Sequence, residues 1–195
     1  CSGGGTAETT KAESTEAVTA ASSEEGTEAA SEAGEGAGQT AEGTTYKIGI
    51  LQLVQHTALD AANEGFIAAL DEAGIQYDLD SQNASGDQSA CQTVASKFAN
   101  DKKDLILAIA TPAAQAVAGA VTDTPVLITA VTDPAESGLV DDNQKPGGNV
   151  TGTSDLTPVK EQIDLLKQIL PDAKKVGILY CSAESNSEIQ AQMAR

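Results

Sequence analysis

Hydrophobic residues in this chain are concentrated in six short runs, each followed by a cluster of small polar residues. The runs are 46–54, 75–80, 104–110, 125–131, 148–153 and 174–180. Most of them lack a strict polar and apolar alternation, which is typical of parallel strands covered by helices on both faces. The segments between the runs are mostly long enough for crossover helices. The pattern therefore predicts an α/β fold built on a parallel sheet.

Four of the intervening segments have the spacing of amphipathic helices. Helices are predicted at 58–74, 87–101, 111–121 and 158–170. Asp87, Thr111 and Thr157 are predicted N-caps, and the two threonines precede prolines that favour the first helical position. The fourth helix is predicted to turn four residues inward: Val159, Ile163, Leu166 and Leu170.

Polar side chains follow the predicted strands. The carboxyl ends of parallel strands meet at one edge of a sheet, so these side chains are expected to line one crevice. They are Gln52, Gln55, His56, residues 83–87, Thr111, Pro112, Thr132, Asp133, Asp155 and residues 184–187.

The chemistry of this crevice fits a small polar ligand. A helix beginning at Thr111 would direct unpaired N–H groups at the crevice, which favours an anion such as a carboxylate. Asp133 and Asp155 could accept hydrogen bonds from an ammonium group or could cap turns. The turn at 83–87 is composed of ordinary turn residues, so a structural role is its alternative. His56, the single histidine, could be a proton shuttle, a ligand donor or a solvated loop residue.

Several function classes lack their sequence signature. No nucleophile is spaced with His56, no His, Cys and Asp cluster has metal-ligand spacing, and GxGxxG and GxxxxGK[ST] are absent. No cofactor or metal is therefore predicted. The formal net charge of −18 argues against nucleic acid as a partner.

The chain divides into three parts by composition. Residues 1–44 hold eight glycines and nine glutamates with one branched aliphatic residue, Val18, so an acidic Gly/Ser/Thr-rich disordered tether is predicted. Residues 45–153 are predicted to form a first α/β lobe with five strand and helix alternations. Residues 154–195 are too few for a stable lobe, so they are predicted to begin an incomplete second α/β lobe.

The three cysteines have different predicted roles. The start CSGGG resembles a mature bacterial lipoprotein after signal cleavage, in which Cys1 carries the lipid and a small-residue tether follows. Cys91 is predicted to be a packed thiol on a helix, and Cys181 to lie at the crevice edge. A disulfide between these two is not expected, because they fall in different predicted lobes.

Seven blocks in order resemble one family. QLVQH, QNASGDQS, LAIATPAAQA, ITAVTDP, GLV, PGGNVTGTSD and GILYCSAESNS are similar to blocks of the ABC transporter substrate-binding proteins of the tryptophan/tyrosine type. The resemblance runs from about residue 46 to 195. It implies a type I periplasmic-binding-protein-like fold, in which two hinged lobes close on a small ligand outside the cytoplasm. The implied partners are an amino acid, possibly aromatic in this family, and the membrane permease that receives it.

The resemblance also implies a set of ligand-binding residues. Carried over by position, they are Gln52, His56, Asp60, Asn83, Asp87, Thr111, Pro112, Gln115, Asp133, Asp155, Glu184, Asn186 and Ser187. The chain has Tyr180 and Cys181 where members usually have Tyr-Asn. With five aromatic residues of the Phe and Tyr types in all, an aromatic cage around the ligand would be thin.

Two other function classes compete with a binding protein. An enzyme could use the same crevice, but it would need a nucleophile and base pair or a cofactor fingerprint. A ligand-sensing domain of a regulator or signalling receptor would share the two-lobed architecture. A DNA-binding regulator would need a basic helix pair near the N-terminus, where residues 1–44 are acidic.

Overall fold

The computed structural model describes residues 43–195 and contains one parallel sheet of five strands. The strands are β1 (Tyr46–Gln52), β2 (Tyr77–Asn83), β3 (Leu105–Ile109), β4 (Val126–Val131) and β5 (Val150–Ser154). Their order in the sheet is β2-β1-β3-β4-β5, and every neighbouring pair is parallel. The predicted α/β class with a parallel sheet is confirmed.

Within residues 43–195, five helices accompany the sheet. They are α1 (Thr57–Glu72), α2 (Gln88–Asp101), α3 (Thr111–Ala120), α4 (Val159–Ile169) and α5 (Ser185–Met193). The first three connect successive strands from β1 to β4, whereas β4 and β5 are joined by a stretch without a helix, residues 132–149. The prediction of five alternations of strand and helix in 45–153 is therefore wrong, because no helix lies between β4 and β5.

The sheet order places a topological switch between β1 and β3. The chain leaves β1 toward β2 on one side and later leaves β3 toward β4 on the other. Loops that depart in opposite directions open a crevice at the carboxyl ends of the two strands, where α/β proteins bind ligands. Gln52 ends β1, and Thr111 follows β3 by two residues.

Each face of the sheet has its own apolar cluster. Helices α2 and α3 cover one face, where Cys91, Phe98 and Val117 are fully buried. Helix α1 covers the other face through Leu59 and Phe66, which pack against strand residues of β1 and β3. The predicted stripes on the first two helices and the packed thiol at Cys91 are confirmed, and burial raises the pKa of that thiol.

A charged cluster lies next to Phe98, at the edge of the apolar cluster under α2 and α3. Asp80 on β2 forms ion pairs with Lys97 and with Lys103, whose Nζ lies 3.3 Å from the Asp80 carboxylate. Both lysines also lie over the ring of Phe98, at 5.7 Å and 5.5 Å from its centroid. Burial raises the pKa of Asp80, but hydrogen bonds from the lysines and Gln82 outweigh it and lower the pKa to about 2.

Replacing Asp80 with asparagine is expected to destabilise the fold by about 2 kcal/mol at pH 7. This is the free energy that corresponds to lowering its pKa from 3.8 to about 2 on folding. The folded-state pKa lies below the unfolded one, so this stability is present above pH 4 and disappears as the pH falls toward 2. Lys103, whose side chain is 7% exposed, would also lose its closer carboxylate. Urea unfolding at pH 7 and at pH 3 measures the effect.

Asp78→Asn is the matched control, because Asp78 lies on the same strand with an exposed side chain. Its stability should stay close to that of the wild type at both pH values. A destabilisation of Asp80→Asn that is equal at pH 7 and pH 3 would show that the ion pairs are not its cause.

The predicted strand at 174–180 is wrong for this structure, in which the segment is irregular. A strand needs a hydrogen-bonding neighbour, and the residues that the structure describes place none beside it. Its side chains are exposed, among them Val176, Ile178 and Leu179. Leu170, predicted to face inward from α4, is also exposed at 54%, while Val159 is buried as predicted.

Helix starts were predicted correctly at one position and incorrectly at two. Asp87 caps α2 as predicted. The N-cap of α3 is Ala110 and not Thr111, and that of α4 is Pro158 and not Thr157, and neither has a side-chain cap. Threonine is favoured as a cap by its side chain. In α3, however, Ala110 has the non-helical backbone of the cap, with a positive φ, so the helix already begins at Thr111.

Cys1 and almost all of the predicted tether lie outside the described residues. Residues 43–195 belong to one compact unit in which the predicted boundary at 153 is not resolved, so the two-lobe division stays a prediction. Within 43–195, no helix has the length and apolarity needed to cross a bilayer.

Candidate functional site

A polar network lies at the carboxyl end of β1. Gln52 is 3% exposed, and its side-chain amide donates to the Asp60 carboxylate at 2.6 Å and to the Val54 carbonyl at 2.9 Å. The Asn63 amide donates to the Gln52 carbonyl at 3.2 Å. Helix α1 thus presents Asp60 and Asn63, one turn apart, to the end of the strand. The predicted Gln52 and Asp60 are brought together, and Asn63 joins them.

The start of α3 has an unusual backbone. Ala110 has φ 82° and ψ 151°, a region that is almost exclusive to glycine and costs about 1 to 3 kcal/mol for other residues. Because Ala110 offers no side-chain cap, the first-turn amides of α3 keep their capacity to bind an acceptor from outside. Such strain is concentrated at ligand sites in many proteins.

Thr111 is the first residue of this helix and is 1% exposed. Its hydroxyl has no hydrogen-bond partner among the described residues. A buried hydroxyl without a partner costs about 1 to 3 kcal/mol, so it marks a place where a ligand or water belongs. The failure of Thr111 to cap the helix leaves its hydroxyl available for that role.

Three further buried side-chain oxygens or hydroxyls in residues 43–195 lack a partner. They are Asn63 Oδ1, Ser137 Oγ and Asn186 Oδ1. Asn63 adjoins the end of β1, Ser137 lies in the segment after β4, and Asn186 is in the first turn of α5. All four unpartnered atoms are therefore associated with the carboxyl edge of the sheet or the helices that start there.

Gln115 connects three of these elements. It lies one turn after Thr111 on α3, and its side-chain amide donates to the Ser137 carbonyl at 3.0 Å and to the Ser185 hydroxyl at 3.2 Å. Gln115 therefore lies beside Ser137 and beside Ser185, the neighbour of Asn186. Thr111 lies one turn earlier on the same helix. The structure brings the predicted Thr111, Gln115 and Asn186 together.

Three predicted ligand residues serve local turns and caps. His56 caps α1, with Nδ1 accepting from the Ala58 amide at 3.2 Å, and Asn83 Oδ1 accepts from the Ser85 amide at 2.8 Å. The carboxylate of Asp87 accepts from the Ser89 hydroxyl at 2.6 Å and from the Ser89 amide at 2.7 Å, and these bonds lower its pKa. All three residues are exposed.

Asp133 stabilises the segment after β4. Its Oδ1 accepts from the Asn143 amide at 2.9 Å and from the backbone amides of Ala135 and Glu136 at 3.1 Å and 3.2 Å. The bond from Asn143 is the main cause of its lowered pKa. The side chain is charged at neutral pH, but one of its oxygens is already occupied by the turn.

The remaining predicted residues differ in burial. Pro112 is buried as the second residue of α3, and Asp155 is exposed just after β5. Glu184 and Ser187 are half-buried at the start of α5, and the Glu184 side chain does not cap the helix. Within residues 43–195, no group of three or more His, Cys, Asp and Glu side chains is arranged to hold a metal ion.

Sequence reasoning missed Asn63, Ser137 and Gln190. The amide of Gln190 on α5 donates to the Thr132 hydroxyl at 3.1 Å. Asn63 could have been found, because it is a polar residue on the side of a helix that otherwise packs on the sheet. Ser137 and Gln190 had no local pattern, since their importance depends on contacts with α3 and with the end of β4.

Residues 47–195 match the family described as ABC transporter substrate binding protein. The chain belongs to this family. Members of this family are binding proteins rather than enzymes.

Two relatives of this substrate-binding protein are described by the aromatic amino acid that they bind. A tyrosine-binding protein of Clostridioides difficile (strain R20291) is 51% identical over 147 residues, which make up 73% of this chain and 43% of that protein. An ABC domain from Streptococcus pneumoniae in complex with L-Trp is 43% identical with a TM-score of 0.72, and the match covers 77% of this chain and 52% of that one.

A third relative is a substrate-binding protein with adhesive properties from Clostridium difficile, in a ligand-free, open structure. It is 51% identical with a TM-score of 0.61, and the match covers 76% of this chain and 52% of that one. The present substrate-binding protein therefore spans about half the length of these relatives.

Proposed function

We propose that this chain is part of the extracytoplasmic solute-binding component of an ABC importer, and that its ligand is an aromatic amino acid. The observation that carries the proposal is the buried, unpartnered Thr111 hydroxyl at the uncapped start of α3. Family membership supplies the transport role, and the relatives that bind tyrosine and L-Trp supply the ligand class.

The ligand carboxylate binds at the start of α3. An anion there would accept hydrogen bonds from the first-turn amides and from the Thr111 hydroxyl, and it would interact favourably with the positive end of the helix dipole. The Ser137 hydroxyl, also buried and unpartnered, gives a second side-chain donor close to the same helix. Hydrogen bonds of this charge-assisted type are stronger than those between neutral groups.

The ligand ammonium binds to Glu184. This residue adjoins Ser185, which Gln115 bonds to the α3 side of the site. Its carboxylate makes no hydrogen bond or ion pair with the residues that the structure describes, whereas Asp133 is held by its turn and Asp155 is exposed. Glu184 is therefore the carboxylate best able to accept a new charged partner.

The whole protein is anchored to the membrane through Cys1 and delivers its ligand to permease subunits. The small-residue, acidic composition of 1–44 supports a tether between a lipidated cysteine and the folded part. The family supports a permease partner and an extracytoplasmic location.

The experiment is a ligand screen on the intact protein with its complete second lobe. Tryptophan or tyrosine should raise the melting temperature, because a ligand that binds only the folded state stabilises it by mass action. Calorimetry with tryptamine, which lacks the carboxylate, and with indole-3-propionate, which lacks the ammonium, should show at least tenfold weaker binding than tryptophan. If none of the twenty amino acids raises the melting temperature, the proposed ligand class is wrong.

A further inference from the structure

Three glutamine side chains join the start of the predicted second lobe to the first. Gln115 on α3 donates to the Ser185 hydroxyl at 3.2 Å, and Gln88 on α2 donates to the Ala183 carbonyl at 2.8 Å. In the opposite direction, Gln190 on α5 donates to the Thr132 hydroxyl at 3.1 Å. These partners are 58 to 95 residues apart in sequence, so the bonds are tertiary contacts and not local turns.

We propose that Gln88, Gln115 and Gln190 form a latch that holds α5 over the carboxyl edge of the sheet and so favours the ligand-binding arrangement. The inference rests on the proposed function, since the latch would act on the same site. It assigns Gln115 a positioning role and not the ligand contact that the family resemblance implied.

The geometry of Gln115 supports this role. A glutamine amide nitrogen has two N–H donors, and those of Gln115 go to the Ser137 carbonyl and the Ser185 hydroxyl. Both donors are therefore committed to the protein, and none remains for a ligand carboxylate. By holding Ser137 and Ser185, Gln115 sets the position of Ser137 Oγ and of Asn186, which carry two of the unpartnered buried polar atoms.

The position of Gln190 supports a latch at a second point. Thr132 is buried at the end of β4, and its carbonyl already accepts from the Ser154 hydroxyl at 2.7 Å. The bond from Gln190 to the Thr132 hydroxyl attaches the middle of α5 to this fixed residue. Since Gln115 attaches the start of the same helix, α5 is held at two separated points and cannot pivot freely about either.

Two comparison structures differ in how closely their backbones match this chain. The chain has a TM-score of 0.72 with the L-Trp complex and 0.61 with the ligand-free, open relative, although it is more similar in sequence to the open one. The aligned part of the chain is thus closer in its overall backbone to the ligand-bound relative.

The latch should act on affinity through the population of the binding arrangement. A ligand that binds one of two arrangements has an apparent affinity reduced by the fraction of protein in that arrangement. Each neutral hydrogen bond contributes modestly, so Gln115→Ala and Gln190→Ala should each weaken tryptophan or tyrosine binding about 3- to 10-fold. The loss should be in the apparent association rate, because a smaller fraction of the protein is ready to bind when the ligand arrives.

The test uses double-mutant cycles on the intact protein, measured by calorimetry and stopped-flow association. Gln190→Ala combined with Thr132→Val should bind no more weakly than the weaker single variant, because each change breaks the same bond. The pair Gln115→Ala and Ser185→Ala should behave in the same way. Gln192→Ala, an exposed glutamine on α5, is the matched control and should leave affinity unchanged. Additive losses in both cycles would overturn the latch.

A conformational measurement separates the latch from the ligand assignment. In small-angle scattering without ligand, the double variant Gln115→Ala and Gln190→Ala should be more expanded than the wild type. If the wild type binds no amino acid but this expansion is seen, the proposed function fails and the latch stands. If the wild type binds and the two scattering profiles coincide, the latch fails and the proposed function stands.

Discussion

Replacing Thr111 with valine should weaken binding of tryptophan or tyrosine about 10- to 100-fold, the range expected for losing one hydrogen bond to a charged group. Valine has nearly the same shape as threonine, so the change removes the hydroxyl and little else. Among residues 43–195, the hydroxyl has no hydrogen-bond partner to lose. The folded state should therefore be as stable as the wild type or slightly more so.

This combination of results distinguishes a ligand contact from a structural residue. Thr111→Ser keeps the hydroxyl and should retain affinity within a few fold, and Thr122→Val at an exposed position should change neither property. Calorimetry gives affinity and urea unfolding gives stability for the three variants. If Thr111→Val destabilised the fold and bound the ligand normally, the hydroxyl would belong to the core and not to the site.

Replacing Phe98 with alanine should give the largest loss of stability, about 4 kcal/mol, because large buried aromatic side chains leave a cavity when truncated. Phe98 is fully buried, and a Cβ added at Gly49 on β1 would lie only 2.9 Å from its ring. The ring therefore fills the space that the absent side chain of Gly49 leaves. It also lies under the two lysines of the Asp80 cluster.

Phe66 is the natural comparison, since it is the other phenylalanine in the chain. It is half-buried on the α1 face, so Phe66→Ala should cost about 2 kcal/mol or less. Urea unfolding of both variants of the intact protein measures the difference. Equal losses would mean that the α2 and α3 face is not the dominant core.

The strands of the sheet could be predicted because most of them consist of apolar runs that are visible in the local sequence. β1, β3 and β4 lie within the predicted segments, and β5 differs by one residue at its end. β2 was predicted to end at Asp80 but continues to Asn83, because pairing with β1 extends through polar residues up to the register pair Gln52 and Asn83. Tertiary pairing decided that boundary, and local hydrophobicity could not.

The candidate site was predicted only in its location. Parallel topology predicted that polar residues meet at the carboxyl edge, and Gln52, Asp60, Thr111 and Gln115 are found there. That they bind the ligand stays a prediction. Which of these polar residues stabilise turns and which are free to contact a ligand could not be predicted, since the same residue types do both. Asn83 and Asp87 serve local amides, while Asn63 and Ser137 have the unpartnered atoms.

A crystal structure of the intact protein with tryptophan tests the central claim most directly. The account predicts a carboxylate oxygen about 3 Å from Thr111 Oγ1 and from a first-turn amide of α3, and the ammonium at hydrogen-bond distance from Glu184. A ligand whose carboxylate lies elsewhere, with the Thr111 hydroxyl still lacking a partner, would contradict it.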